Sequence, residues 1–212
     1  MLLPFKSRIG AVYLDGKNDL EIDWEYQNPK VEKKVIKRNK GERYIKIYGE
    51  NGKRYESKEV ADKEMKDIII PIWQYSEKLK VKVSGKHKLT VNKRIADEVL
   101  EIFTEIYNDS EKFPIKTGIT AGYCWRGDKE TSQHKDGLAI DINWDYNKQM
   151  KKVKENGKII WKDVFGIWEP GKNIYSMPLN CSVIRIFKKY GWDWGGDWKN
   201  SKDYMHFSYI GG

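Results

Sequence analysis

Ser132-Gln133-His134-Lys135-Asp136-Gly137-Leu138-Ala139-Ile140-Asp141-Ile142 is a polar, glycine-containing turn that runs into a strand. Leu138, Ile140 and Ile142 alternate and share one face, which sends Asp141 to the opposite face beside the small Ala139. A carboxylate in the middle of an apolar strand costs several kcal/mol unless it is paired or bound to a metal. Something positive is therefore expected next to Asp141.

The chain has 212 residues and only three histidines, and one besides His134 stands in an equally patterned context. Near the C-terminus, Gly191-Trp192-Asp193-Trp194-Gly195-Gly196-Asp197-Trp198 precedes Asp203-Tyr204-Met205-His206-Phe207, a short aromatic strand. Two imidazoles and one carboxylate, from His134, His206 and Asp141, leave a fourth tetrahedral position for water, which is the donor set of a catalytic and not a structural zinc site. Asp203, three residues ahead of His206, is the candidate general base. Because residues three apart in a strand face opposite ways, Asp203 is expected in the turn before that strand. His87, in Ser84-Gly85-Lys86-His87-Lys88, has no such frame and reads as an exposed loop residue.

Ser132 to Asp141 matches S-x-H-x-x-G-x-A-x-D without departure, and Asp203 to His206 matches D/E-x-x-H. In these motifs, and in the Trp-Gly-Gly-Asp-Trp run, the chain resembles the M15 family of zinc peptidases. That family groups D-alanyl-D-alanine carboxypeptidases, VanX- and VanY-type enzymes and the L-alanyl-D-glutamate endopeptidases of phage endolysins. The resemblance covers roughly residues 86–207. It implies one zinc ion on His134, Asp141 and His206, with Asp203 as general base. It also implies that Arg126, in Gly122-Tyr123-Cys124-Trp125-Arg126, binds a substrate carboxylate or steadies the oxyanion, although two more residues separate tyrosine from arginine than in the family's pattern. An ion pair with Asp128 is the plainer role for this arginine. Trp192, Trp194 and Trp198 read equally as core or as cleft lining, and Trp198 is assigned to the substrate. Asp197 suits a turn, or an acceptor that orients a histidine.

The implied activity is hydrolysis of a peptide bond in the peptidoglycan stem, at L-Ala–D-Glu or at D-Ala–D-Ala, with a tilt to the endopeptidase. The formal charge of +9, from 40 Lys and Arg against 31 Asp and Glu, suits anionic wall polymers. The alternative class is a basic protein that binds cell wall or nucleic acid without catalysis. Nucleic acid is disfavoured, because the basic residues lack a helix-turn-helix, RNP or zinc-finger frame; the densest stretch, Lys30 to Lys40, reads as a solvated charged face. Cys124 and Cys181 lie far apart, form no C-x-x-C and read as buried thiols. Met1 to Gly10 is too short in apolar run for a secretory segment, and nothing later approaches a membrane span. Action at the bacterial wall would then follow release from the cytoplasm or another export route.

The expected architecture is α+β: a small antiparallel sheet carrying the zinc site, with helices on one side, over residues 81–212, and a small β-rich region over residues 1–80. Within the latter, Val12 to Leu14 and Leu20 to Trp24 flank the turn Asp15 to Asn18, and Tyr44 to Tyr48 forms a hairpin with Lys53 to Tyr55 across Asn51-Gly52. Ser57 caps a helix reaching roughly Ile70, ended by Pro71. No chemistry is assigned to these eighty residues. Ile95, Val99, Ile102, Phe103 and Ile106 make the apolar stripe of a helix beginning near Asn92. Val183, Ile186, Phe187 and Tyr190 make that of a second, from Asn180 or Ser182 to Gly191. Between them, Asn156-Gly157 marks a hairpin in an excursion over the surface.

Overall fold

The computed structural model describes residues 39–127 and 131–211. The described residues fall within one compact unit, with a mixed helix-and-sheet architecture of the α+β class implied by the sequence. The strands expected around residues 12–24, and most of the Lys30 to Lys40 run, lie outside the described residues. Among the described residues, no helix is long and apolar enough to cross a membrane.

Helix α1, Lys40–Tyr48, replaces the first strand of the expected hairpin. The Asn39 side chain accepts from the Glu42 N–H at 3.2 Å, and Gly49, at φ 80°, donates to the Ile45 carbonyl to end the helix. The Asn51-Gly52 turn therefore follows a helix instead of joining two strands. Ser57 does cap a helix, α2, Lys58–Lys63, but it is short. The chain then enters β1, Met65–Ser76, because Ile68-Ile69-Ile70 is β-branched and alternates: Ile68, Ile70 and Ile72 are buried while Ile69 is exposed. Pro71 is tolerated inside this strand because β1 has one sheet neighbour and its other edge needs no ladder N–H there.

Strand β1 pairs antiparallel with β2, Val81–Asn92, from Met65↔Asn92 to Ser76↔Val81. The turn at the top of this hairpin falls where the sequence places the edge between the two regions, so that edge is crossed by a continuous ladder. His87 lies within β2, half-buried, with Nε2 at 2.9 Å from the Thr120 carbonyl, and is not a loop residue. Helix α3, Ala96–Asn108, packs its Val99, Ile102, Phe103 and Ile106 stripe on β1, and Trp192 Nε1 donates to Glu98 at 2.9 Å.

The remaining strands make two small antiparallel sheets. In the first, β3 (Ala139–Asp141), β8 (His206–Ser208) and β6 (Asp193–Trp194) run in the order β3-β8-β6. Helix α4, Ser182–Lys189, packs against it: Phe187 stacks on Phe207 at 4.3 Å between ring centres and meets Phe103 of α3 edge-on. In the second, β4 (Gln149–Glu155) lies between β5 (Lys158–Phe165) and β7 (Ser201–Asp203). Asn156 at φ 50° and Gly157 at φ 77° supply the turn expected of that pair, and all of β5 is exposed.

Asn143 fixes the exit of β3. Its backbone is left-handed at φ 51°, and its wholly buried side chain accepts from the Lys116 N–H at 2.8 Å and donates to the Pro114 and Tyr175 carbonyls at 3.0 and 3.1 Å. Asn143→Ala removes these bonds and adds left-handed strain, for a loss of about 3 kcal/mol. Asn143→Gly, spared the strain, is expected to lose less. Urea denaturation of both variants checks this, and equal losses would remove the strain from the account.

Candidate metal centre

Three short elements deliver the two histidines and the aspartate to one place. His134 sits in a 3-10 turn, Gln133–Asp136, whose Ser132 side chain accepts from the His134 N–H at 3.3 Å. Gly137 ends the turn in the left-handed region at φ 66°, where a Cβ would stand 2.6 Å from the Asn92 nitrogen, so glycine is required twice over. The chain then enters β3, and Asp141 stands directly opposite His206 of β8. Residues facing each other across an antiparallel ladder share a face, so this register aims both side chains at His134.

The donor atoms converge. His134 Nε2 lies 3.1 Å from His206 Nδ1 and 3.1 Å from Asp141 Oδ2, and His206 Nδ1 lies 3.0 Å from Asp141 Oδ1. Tetrahedral zinc with bonds of about 2.0–2.1 Å separates its ligand atoms by roughly 3.3 Å, close to what these three show. His134 Nδ1 lies 2.7 Å from the Gly122 carbonyl, which can only accept, so in the neutral ring Nδ1 holds the proton and Nε2 turns its lone pair to the centre. Gly122 permits that approach, since a Cβ there would meet the Thr90 carbonyl at 2.5 Å.

The two carboxyl groups of the site are driven in opposite directions. Burial opposes ionisation of Asp141, but hydrogen bonds and charge from His134 and His206 outweigh it and hold the carboxyl well below the usual range. Burial likewise works against a charged His134, yet bonding to Asp141 raises its pKa. Asp203 is pushed up to about 7, first by burial and then by the negative charge of Asp141. Its Oδ2 accepts from Gln149 Nε2 at 3.0 Å, while Oδ1 is buried with no hydrogen-bond partner. Asp203 ends β7, opposite Gln149 of β4, and is not in the turn; that turn is Tyr204 and Met205, which lets a residue three before His206 reach the same space.

The tryptophan-glycine run builds the wall behind Asp203. A Cβ on Gly195 would collide with the Asp203 carbonyl and stand 2.9 Å from its Cβ. Trp192 and Trp194 are core, the latter donating Nε1 to the Tyr204 carbonyl at 2.9 Å. Trp198 is different: its ring centre is 5.3 Å from that of His206 and it lines the cleft. Asp197 orients no histidine; it is exposed and pairs with Lys188 at 2.7 Å. Arg126 is exposed at the rim beside the triad, and its weighed partner Asp128 lies outside the described residues. Cys181 is buried, but Cys124 is exposed on the cleft wall, and both are free thiols.

The cleft has two adjoining lobes that share His134, Asp141 and Asp203. One lobe, of about 440 Å³, is bounded by Tyr48, Arg54, Gln133 and Trp198. The other, of about 390 Å³, is bounded by Cys124, Trp144, Phe165 and Met205. Arg126, Gln149 and Asp203 border both. No local sequence pattern points to Gln149, Tyr48 or Arg54. Arg54 Nε and the Tyr48 hydroxyl each approach Asp136 Oδ2 at 2.6 Å, so residues of the first eighty brace the turn that carries His134.

The sequence profile described as D-alanyl-D-alanine carboxypeptidase matches residues 126–209. The peptidoglycan L-alanyl-D-glutamate endopeptidase CwlK of Bacillus subtilis is 32% identical over 122 residues, which is 56% of this chain and 64% of that relative's length. No solved structure matches. The converging histidines, both carboxylates and the rim arginine all lie inside residues 126–209, the stretch in which the chain is similar to that peptidase family.

Proposed function

We propose that the protein is a zinc-dependent peptidase that cuts within the stem peptide of bacterial peptidoglycan. The observation that carries this reading is the meeting of His134 Nε2, His206 Nδ1 and an Asp141 oxygen within 4.8 Å of one another, beside a buried carboxyl with one unpartnered oxygen. Two imidazoles and a carboxylate fit zinc by donor chemistry. Zinc held there would supply Lewis acidity at the scissile carbonyl and acidify water at the same point. Asp203 takes the proton of the attacking water and returns it to the leaving amine, a task suited to a carboxyl poised near neutrality. Arg126 holds substrate negative charge at the rim.

Cleavage inside a chain, and not at its end, is supported by the two adjoining lobes that meet at the triad. A carboxypeptidase needs a wall behind the terminal carboxylate, whereas here Arg126 borders both lobes. The name of the CwlK relative agrees with an L-alanyl-D-glutamate bond as the target.

His134→Ala is expected to lose bound metal and hydrolysis together; metal analysis and stem-peptide cleavage on one sample test this, and an active, metal-free variant would contradict the ligand set. Asp203→Asn is expected to keep its metal while turnover falls by ~100-fold or more. Near-normal turnover would take Asp203 out of the reaction.

Stability of the chelator-treated protein should depend on Asp203 as well. Its folded pKa lies above the ordinary 3.8, at about 7, so the folded state holds the proton more tightly than the unfolded chain. That contribution is full below pH 4 and is lost as pH rises through about 7. Asp141, shifted the other way, contributes above its ordinary value and is lost only in stronger acid. Metal-free wild type should therefore lose stability relative to Asp203→Asn between pH 4.5 and 7.5, read by urea denaturation; a constant difference would refute the assignment.

A further inference from the structure

The β4–β5 hairpin projects from the cleft with exposed apolar residues and free cations. Ile160 is 40% exposed and Phe165 47%. Lys148 pairs with Asp163 and Lys162 with Glu155, whereas Lys151, Lys152, Lys154 and Lys158 make no ion pair among the described residues. Such a surface, apolar and positive at once, suits an anionic polymer with hydrophobic faces.

The register divides the hairpin into two faces. Gln149, which bonds Asp203, stands opposite both Asp203 of β7 and Phe165 of β5, so these three share the cleft face. Alternation from Gln149 places Lys151, Val153 and Glu155 on that face, opposite Lys162, Ile160 and Lys158. Met150, Lys152 and Lys154 point the other way with Asp163, Trp161 and Ile159, and the Lys152 ammonium 5.2 Å from the Trp161 ring centre agrees with this division. The register shifts between Gln149 and Met150, where Val164 of β5 is bulged out, but alternation along β4 is kept, so one face leads from the general base to Val153 and its partner Ile160 over four residues of strand, or roughly 13 Å.

We infer that this face, through Lys151, Val153, Ile160 and Phe165, docks the anionic wall polymer beyond the scissile peptide, so that intact peptidoglycan is gripped by a surface that a short stem peptide never reaches. The inference rests on the peptidase reading of the cleft. Its grounds are charge complementarity and the continuity of one strand face with the cleft floor.

The test compares two charge-matched double variants, Lys151→Glu with Ile160→Ser on the cleft face and Lys154→Glu with Trp161→Ser on the opposite face. Sedimentation with purified insoluble peptidoglycan measures retention, and a soluble stem peptide measures cleavage. The cleft-face variant should show roughly ten-fold weaker retention and slower digestion of intact peptidoglycan, with unchanged kcat/KM on the soluble peptide. The opposite-face variant should match wild type in both. Equal weakening by the two variants would reduce the effect to general charge and overturn the inference, as would wild-type retention by the cleft-face variant. Wild-type polymer retention together with lost binding to vesicles of anionic phospholipid would assign the hairpin to a membrane and overturn it too. If the wild type does not cleave the soluble peptide, the peptidase reading fails, while the sedimentation result still decides the docking face.

Discussion

The pairing of Asp141 with His206 across β3 and β8 is the constraint on which the centre depends. An ionised carboxylate among Ala139, Ile140 and Ile142 is held by two imidazoles, one from the facing strand and one from the turn that feeds its own strand. A one-residue slip in this short ladder would turn Asp141 into the apolar core and His206 away from His134. The register is therefore fixed by packing elsewhere: Phe207 against Phe187 on one side of β8, and Trp194 of β6 paired with Phe207 along the other edge. Hydrophobic contacts decide where the polar atoms meet.

The same charge that anchors one carboxyl unsettles the other. Asp141 stays ionised because two rings face it, and its field, added to burial, keeps the proton on Asp203 up to near neutrality. Neither value follows from the residue alone. Gly195 makes the arrangement possible by allowing the backbone of Asp203 to pass where a side chain would block it.

The parts legible in the sequence are those whose physics is local. The apolar stripes of α3 and α4, the Asn156-Gly157 turn of β4–β5 and the alternation around Asp141 each lie within a dozen residues, and each appears where its pattern indicates. Failures arose where two local signals competed. Asn51-Gly52 signals a hairpin, but the Asn39 cap and the spacing of Tyr44, Ile47 and Tyr48 favour a helix before it. Pro71 signals a helix stop, but the isoleucine run had already taken the strand. Tyr48, Arg54 and Gln149 carry no local signal because their roles come from partners far along the chain. Cys124, expected inside because free cysteine is usually buried, lies exposed on the cleft wall.

Arg43 of α1 ties this segment to the other end of the chain, donating to the carbonyls of Tyr190, Gly191 and Tyr209 at 2.6, 2.9 and 2.7 Å while its guanidinium lies over the Tyr209 ring. Arg54 does the same for the Ser132 carbonyl and the buried Asp136. A recombinant fragment started at residue 81 would keep His134, Asp141 and His206 and still strip hydrogen-bond donors from the loop after α4, from Tyr209 just past the strand carrying His206 and from the turn carrying His134. Trimming the chain to its recognisable motifs would thus remove the scaffolding that holds them in position.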